Sequence, residues 1–380
     1  MRRFPMLSLL LVLLCGPAQA QTQAHAQGFN SEAGAIDVIE IAHGLEHPWS
    51  LAFLPDGRML VTERPGRLRI VTQAGAVSAP LSGVPTVYAR GQGGLLDVVL
   101  APDFAQSRRI YFCYGEPRGD TNGTTIAHAR LGDSGISDVT AIFRQQPGMD
   151  SRHHFGCRLV FANDGTLYAT LGERNKGRAQ AQTLDNDLGK VIRIRADGTI
   201  PDDNPFVGRK GARPEIWSYG HRNAQGAVLH PVSGELWMHE HGPKGGDEIN
   251  IARAGRNYGW PVITYGREYS GLAVGDGRSA AEGMEQPLHY WVPSIAPSGM
   301  AFYTGERFKA WRGNLFVGSL KFGQLARLEL DGDTVVHDER LLDGIKRRIR
   351  DVRMGPDGYL YLLTDEADGR ILRVGLAQGS

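Results

Sequence analysis

The chain is poor in cysteine, in net charge and in long apolar runs. Only 3 of its 380 residues are cysteines, too few for a disulfide-based scaffold. The formal net charge is +1, which gives no overall field to attract nucleic acid or an anionic membrane. The longest apolar stretch, near the start of the chain, is too short to span a membrane. These absences argue against nucleic-acid binding and against a membrane-spanning protein.

The first 20 residues have the pattern of a secretory signal peptide. A basic start precedes an apolar stretch over residues 7–14, and an A-x-A cleavage site ends at Ala20. We therefore expect a signal peptide over 1–20, a flexible lead-in over 21–34, and a periplasmic or secreted location. In an oxidising compartment Cys113 and Cys157 could pair, but the sequence favours two free, partly buried thiols.

A hairpin pattern recurs along the rest of the chain. Glycine is abundant at 50 residues, and helical periodicity is rare, so the composition suits short strands joined by turns. Apolar strands flank Asp-Gly turns at Asp56-Gly57, Asp164-Gly165 and Asp357-Gly358. Three looser copies bring the number to six, spaced about 60 residues apart. This pattern predicts one all-β domain over 35–380, a six-bladed β-propeller of four-stranded antiparallel blades. Two β-sandwiches would not give six similar hairpins.

Cations gather beside the predicted inner strands, whose loops meet at one mouth of a propeller. Arg222, Lys321, Arg348 and Arg350 come from three separate blades. Each alone could be a solvated surface residue, but converging cations repel one another unless they hold an anion with several carboxylates or phosphates. No G-x-x-x-x-G-K-[ST] or strand-linked G-x-G-x-x-G motif occurs, which argues against a nucleotide.

The stretch GPKGGDEIN, residues 242–250, combines backbone carbonyls beside Gly and Pro with acidic side chains. Oxygen ligands of this kind suit calcium. The preceding HEHGP lacks the helical H-E-x-x-H spacing of a zinc site. The residues alone therefore predict oxygen ligands for a hard cation.

Several long motifs carry a family resemblance: RGQGGLLDVVLAPDF, HHFGCRLVF, YGHRNAQG, HEHGPKGGDEIN and RIRDVRMGPDGYLYLLTDE. They resemble the soluble PQQ-dependent sugar dehydrogenases of the glucose/sorbosone type, closest to the bacterial periplasmic aldose sugar dehydrogenases. The resemblance runs from about residue 36 to the end. It implies an enzyme that oxidises aldoses at the anomeric carbon to lactones, with pyrroloquinoline quinone (PQQ) and Ca²⁺ as cofactors. PQQ carries three carboxylates, which matches the anion expected from the cations.

The resemblance also implies roles for particular residues. His154 matches the general base that takes the proton of the anomeric hydroxyl, and Arg222 matches the group that polarises the quinone carbonyl. His221 would support the turn without reacting. The implied cofactor contacts are Gln92, Arg222, Asn223, Tyr269, Lys321, Arg348 and Arg350. The implied calcium ligands are the carbonyls of Gly242 and Pro243 for one ion, and Glu248 with the carbonyl of Tyr258 for a second.

The sequence departs from the glucose-specific relatives beside the base. His153 stands where those relatives carry an acidic residue that orients the base, so another group must hold the tautomer of His154. This favours a broad aldose range. The expected partners are an aldose and an unidentified electron acceptor, a quinone or a cytochrome, with the protein a monomer or weak homodimer.

Other functional classes of β-propeller are alternative interpretations of the sequence. A sialidase would repeat S-x-D-x-G-x-T-W turns, and none occurs. A calcium lactonase would place acidic and Asn ligands around the axis, not cations. The remaining alternative is a non-catalytic extracellular binding module, which has no reason to keep His154, Arg222 and Lys321 together.

Overall fold

The computed structural model describes residues 26–377, so the predicted signal peptide lies outside the described part of the chain. The first two strands, β1 (Ala26–Ser31) and β2 (Gly34–Leu45), pair as an antiparallel hairpin. β1 lies within the predicted flexible lead-in, so strand structure begins earlier than the sequence predicts. Within the described residues, no helix is both long and apolar enough to cross a membrane.

The remaining strands form six antiparallel sheets in chain order. The first sheet has β3 (Pro48–Phe53), β4 (Met59–Glu63) and β5 (Arg67–Val71). The second has β6 (Leu95–Leu100), β7 (Arg109–Arg118), β8 (Thr121–Leu131) and β9 (Ile136–Arg144). The third has β10 (Gly156–Phe161), β11 (Leu167–Leu171), β12 (Lys190–Ile194) and β13 (Ile216–Tyr219).

The later sheets repeat this order. The fourth has β14 (Ala224–Leu229), β15 (Leu236–Glu240), β16 (Asp247–Ile251) and β17 (His289–Trp291). The fifth has β18 (Pro297–Phe302), β19 (Leu315–Ser319), β20 (Leu325–Asp331) and β21 (Thr334–Leu341). The sixth has β22 (Ile349–Met354), β23 (Leu360–Thr364) and β24 (Gly369–Leu376). Short helical turns occur at α1 (Phe104–Ser107) and, as 3₁₀ helices, at Ala179–Gln182 and Lys309–Trp311.

The sheets close into a ring. Each first strand contacts the first strand of the next sheet, and β22 contacts β3. The sixth sheet gains its outer strand from the start of the chain, because β2 pairs with β24 from Ile36↔Leu376 to Leu45↔Gly369. The six-bladed β-propeller is therefore confirmed. The predicted Asp-Gly turns join β3 to β4, β10 to β11 and β22 to β23, with their glycines at positive φ.

The first blade departs from the predicted four strands. β5 is its last named strand, but residues 77–81 run along the outer edge of β5. The amide of Ser78 donates to the carbonyl of Ile70 over 2.9 Å, and that of Leu81 donates to Leu68 over 2.8 Å. An irregular segment thus takes the fourth position.

Every inner strand carries a β-bulge or register shift near its start. The shifts lie at Pro48/Ser50, Leu95/Val98, Gly156/Leu159, Ala224/Gly226, Pro297/Met300 and Ile349/Asp351. A bulge adds a residue, bends the strand and re-aims its side chains. All six bulges lie toward the end of the ring where the inner strands begin, which makes that end irregular and polar.

Four charged side chains at or just after these bulges meet in the middle of the ring. Arg158 on β10 contacts Asp97 at 3.0 Å and Asp351 at 3.2 Å. Arg353, on the same strand as Asp351, contacts Asp97 at 2.9 Å and Asp351 at 2.7 Å. Because β10 and β22 lie on opposite sides of the ring, this network joins strands across the axis.

We expect Asp97→Ala to lower the free energy of unfolding by about 3 kcal/mol, because it leaves the buried Arg158 and the partly buried Arg353 sharing one carboxylate. Denaturant unfolding at equilibrium measures the change. The exposed Asp120 provides a control, and Asp120→Ala should change the same free energy by about 0.5 kcal/mol or less. Equal effects of the two substitutions would show that the network does not stabilise the ring.

The prediction of two free thiols is wrong. Cys113 on β7 and Cys157 on β10 form a disulfide between neighbouring blades, with their Cα atoms 6.0 Å apart. Both residues are fully buried. The pairing could not be read from the sequence because it depends on how two blades pack, while the cysteines lie 44 residues apart in the chain.

Candidate active site

A cavity of about 700 Å³ opens at the end of the propeller where the inner strands begin. Trp49 and Gln225, which stand at the bulges of β3 and β14, form part of its wall. Seven residues predicted from the sequence also line it: Gln92, Gly242, Pro243, Tyr269, Lys321, Arg348 and Arg350. Residues from distant parts of the chain thus meet at one mouth.

The cavity is strongly cationic. Its lining includes six cationic side chains, Arg64, Lys244, Arg267, Lys321, Arg348 and Arg350, but only one carboxylate, Asp365. Burial works to raise the pKa of Asp365, but the adjacent Arg350 outweighs it and holds the pKa below its ordinary value. Desolvation lowers the pKa of Arg64, and the positive charges of Arg350 and Arg348 lower it further. A cavity with this imbalance suits a ligand with several negative charges.

Arg348 and Arg350 reach the cavity differently from the prediction. The sequence predicts that they share one face of a regular strand, but Arg348 precedes β22 and Arg350 occupies its bulge. Both approach Asp365, at 3.5 Å and 2.8 Å. The side chain of Arg348 is 54% exposed whereas that of Arg350 is 8% exposed. Arg350 also donates to Gln225 over 2.9 Å.

His154 lies buried behind the cavity wall. Its Nδ1 is 2.6 Å from Oε2 of Glu173, so a carboxylate that the sequence did not single out holds the ring. Its backbone N–H donates to the side chain of Gln92 over 2.7 Å. With Nδ1–H directed at Glu173, Nε2 is free to accept a proton. Burial lowers the pKa of His154, and the hydrogen bond with Glu173 opposes that shift.

The backbone around His154 requires small residues. His154 itself has φ 50°, and Gly156 has φ 67°. A Cβ atom on Gly172 would lie 2.1 Å from the carbonyl oxygen of His154. The N–H of Gly156 donates to Oδ1 of Asn223 over 3.2 Å. The base and the turn at 221–223 are therefore joined through the bulge of β10.

The turn at 221–223 is held by buried groups. His221 bonds Ser218 through Nε2 at 2.8 Å and Glu240 through Nδ1 at 2.9 Å, and its ring stacks on Tyr258. Glu240 also accepts from the backbone N–H of Arg222 over 2.5 Å. These contacts fit the supporting role expected for His221.

Arg222 is buried beside the cavity. Its guanidinium donates to the carbonyl of Gly242 over 2.9 Å and lies 5.2 Å from the ring centre of Trp260. Nε of Arg222 and Nδ2 of Asn223 are buried without a hydrogen-bond partner. An unpaired buried donor costs about 1–3 kcal/mol, so both donors suit an acceptor supplied by a ligand.

A second, small cavity is lined by Arg222 and shares His241 and Gly242 with the main cavity. Its volume is about 10 Å³, room for one water molecule or ion. Glu240, Glu248 and Tyr258 contribute to its wall. Burial, followed by the charge of Glu240, raises the pKa of Glu248 well above its ordinary value. Among residues 26–377, no three His, Cys, Asp or Glu side chains group as a metal site, so any cation here would need backbone oxygens as well.

The protein-family model described as glucose/sorbosone dehydrogenase matches residues 45–373. The chain belongs to the glucose/sorbosone dehydrogenase family. Its resemblance to that family, stated from the motifs, is confirmed.

Individual members of the glucose/sorbosone dehydrogenase family are similar over most of the chain. Aldose sugar dehydrogenase YliI of Escherichia coli is 52% identical over 344 residues, 89% of this chain and 92% of that protein. A solved glucose dehydrogenase is 54% identical, with a TM-score of 0.87 over 90% of this chain and 99% of that one. The PQQ-bound aldose sugar dehydrogenase of Streptomyces coelicolor is 27% identical, with a TM-score of 0.73 over 93% of this chain and 100% of that one.

Sequence reasoning missed three carboxylates that hold the site, and a signal for them was present. The second strand of the hairpin ends at or just before an acid in four blades: Glu63, Glu173, Glu240 and Asp365. Three of these hold His154, His221 and Arg350, respectively, and Glu63 binds Arg67 and Arg69. A repeated acid at the mouth end of a repeated hairpin predicts partners for the cations and histidines there.

Proposed function

We propose that this protein is a PQQ- and calcium-dependent dehydrogenase that oxidises aldoses at the anomeric carbon to lactones. The observation that carries the proposal is a cavity lined by six cations and one carboxylate, next to a buried histidine whose Nδ1 is held by Glu173. Similarity to the E. coli aldose sugar dehydrogenase and to the PQQ-bound Streptomyces protein supports it. The catalytic unit would be the single propeller, exported by the signal peptide to the periplasm or medium.

The residues present fit a cofactor with three carboxylates. Lys321, Arg348 and Arg350 supply cations in the cavity wall. The unpartnered donors of Arg222 and Asn223 suit the oxygens of a quinone. Gln92 and Tyr269 line the same cavity and complete the proposed contacts.

When bound, PQQ supplies the acceptor for the hydride that leaves the anomeric carbon. Nε2 of His154 accepts the proton of the anomeric hydroxyl as that carbon becomes a carbonyl. The Glu173 carboxylate keeps the required tautomer and stabilises the imidazolium that forms. Arg222 donates hydrogen bonds toward developing negative charge, from a buried position where such bonds are strong. His154 and Arg222 are thus the proposed catalytic residues.

The proposed calcium ligands differ in how well they fit. Gly242 and Pro243 line the main cavity, although the carbonyl of Gly242 also accepts a bond from Arg222. Glu248 and Tyr258 line the small cavity with Glu240, where a divalent cation would offset two neighbouring carboxylates. We assign one ion to the cofactor and the second to the loop that carries these residues.

Reconstitution tests the proposed function. Purified protein, freed of metal and cofactor, is mixed with an aldose and a redox dye, and dye reduction is followed after adding PQQ and Ca²⁺ together or singly. Reduction should require PQQ, Ca²⁺ and the aldose, so neither PQQ nor Ca²⁺ added alone should support it. Binding of the sugar without any dye reduction would instead favour the non-catalytic binding module. The natural electron acceptor, a quinone or a cytochrome, is replaced by the dye.

Calcium removal should act on stability as well as on cofactor binding. A ligand that binds only the native state at about 100 times its Kd adds roughly 2.7 kcal/mol, so chelation should lower Tm by about 5 °C. It should also weaken PQQ binding. Scanning calorimetry and spectroscopic PQQ titration, before and after chelation and again after adding Ca²⁺, measure both. Unchanged Tm and PQQ affinity after prolonged chelation would refute both metal assignments.

Arginine-to-lysine variants separate cofactor anchoring from chemistry. Arg348→Lys and Arg350→Lys keep the charge but lose the planar fork, so each should raise the Kd for PQQ by about tenfold. Turnover at saturating PQQ should change much less. Arg222→Lys should lower turnover even when the site is full, because its contact strengthens as charge develops. PQQ titration with turnover at saturation distinguishes the roles, and one common pattern in all three variants would contradict the division.

A further inference from the structure

Two cations at the cavity mouth have no partner among the described residues. The side chains of Lys244 and Arg267 line the cavity, are exposed, and make no hydrogen bond or ion pair within residues 26–377. We propose that they select aldoses that carry a negative charge at the end of the sugar away from the anomeric carbon. This proposal rests on the proposed function and names its substrate class.

The two residues are held together by backbone structure. The N–H of Lys244 donates to the carbonyl of Arg267 over 2.9 Å. Arg267 in turn pairs with Ala273 through an antiparallel β-bridge. This pairing closes a small hairpin, and Tyr269 lies exposed near its tip. Glu268 within this hairpin bonds Arg178 from the preceding blade at 2.5 Å. The hairpin is therefore tied at both sides, and the backbone of Lys244 and Arg267 is held beside the mouth.

The charges of the cavity show which cations remain for a substrate. Six cations and one carboxylate line it. Lys321, Arg348 and Arg350 are the cations assigned to the three carboxylates of PQQ. The carboxylate, Asp365, pairs with Arg350 and Arg348, and Arg64 donates to the carbonyl of Gly91. Lys244 and Arg267 are the lining cations that have neither an assigned cofactor group nor a side-chain partner among residues 26–377.

The direction of the sugar follows from the chemistry. The anomeric hydroxyl must reach His154, which is buried, so the opposite end of the sugar points toward the mouth. A phosphate or carboxylate on C6 would then meet the exposed cations of the hairpin. Arginine binds either anion through paired N–H groups, and Tyr269, which is 72% exposed, offers an aromatic face beside them.

The test compares glucose 6-phosphate and glucuronate with glucose, using PQQ- and calcium-loaded protein and a dye acceptor. The ratio of kcat/KM for each anionic sugar to that for glucose should exceed one. In the double variant Lys244→Gln/Arg267→Gln this ratio should fall about tenfold, as expected for two exposed ion pairs. Raising the ionic strength should lower the wild-type ratio in the same direction. The two anionic sugars show whether phosphate or carboxylate is preferred.

Matched variants separate charge from structure. Lys244→Arg/Arg267→Lys keeps both charges and should keep the ratio. Lys309→Gln/Arg312→Gln removes the same amount of charge at the 3₁₀ helix that follows β18, outside the cavity lining. This variant should also keep the ratio of kcat/KM values. Calorimetric binding of 1,5-anhydroglucitol 6-phosphate, which has no anomeric hydroxyl to oxidise, should weaken in the double Gln variant alone.

Several outcomes would overturn the proposal. A ratio of one or less in the wild type, or a ratio that the double Gln variant leaves unchanged, shows that these cations do not choose the sugar. If that variant slows only reoxidation by an acidic protein acceptor, the cations serve the acceptor and the substrate proposal is wrong. Each result leaves glucose oxidation measurable, so failure here is distinct from failure of the proposed function.

Discussion

Replacing His154 by alanine should lower turnover about 10²–10⁴-fold, the usual contribution of a general base. His154 is the buried imidazole next to the cationic cavity whose Nε2 is free to take a proton, because Nδ1 is bound to Glu173. Affinity for PQQ should change little, because the cations that would hold its carboxylates are untouched. Turnover with saturating aldose and spectroscopic PQQ titration measure the two effects.

The neighbouring His153 provides a matched control. It is exposed, and its ring centre lies 6.2 Å from that of His154, so His153→Ala removes an imidazole from the same segment without touching the proposed base. Its turnover should stay within a few-fold of the wild type. Near-normal turnover of His154→Ala, or equal losses in the two variants, would rule out the assignment of the base.

Glu173→Gln should lower turnover by about 10²-fold or more, since an amide can hold the wrong tautomer of His154. An effect on protonation should accompany this loss. The bond to Glu173 raises the pKa of His154 against the lowering due to burial. Removing the carboxylate should therefore lower that pKa further and move the acid limb of kcat/KM to lower pH. A pH profile from pH 4 to 9 (roughly the range in which His titrates) measures the shift.

A control for Glu173 lies in the preceding blade. Glu116, in the corresponding strand β7, contacts Arg118 at 2.8 Å and no histidine of the site. Glu116→Gln should leave unchanged both the plateau value of kcat/KM and the pH at which its acid limb falls. If Glu173→Gln lowers the plateau with no movement of the acid limb, the carboxylate supports structure and does not set the protonation of His154.

The hairpins could be predicted because the residues that specify each one are adjacent in the sequence. An Asp-Gly pair between two apolar runs specifies a turn with a left-handed glycine, and Gly57, Gly165 and Gly358 all adopt that conformation. Six similar hairpins in sequence then leave few arrangements other than a ring. The disulfide was missed for the opposite reason, because Cys113 and Cys157 meet only when two blades pack together.

The candidate site was predictable where long motifs carried it, and incomplete where single residues act at a distance. Gln92, Lys321 and Arg350 line one cavity as expected. Arg64 was not identified because one arginine after a strand has no distinguishing context. Glu173 lies 19 residues from His154, and only the pairing of β10 with β11 brings the two side chains together.

The strand pairing between β2 and β24 has a consequence for how the chain folds. Ile36 pairs with Leu376, so this edge of β2 has no partner until the chain has been synthesised through β24. Contacts over such a separation form slowly because the intervening chain must first be ordered. A truncated product that lacks the last blade would leave the inner edge of β2 unpaired, and an unpaired edge is a site of aggregation. Ring closure thus separates chains that include β24, which can fold, from shorter ones, which should aggregate.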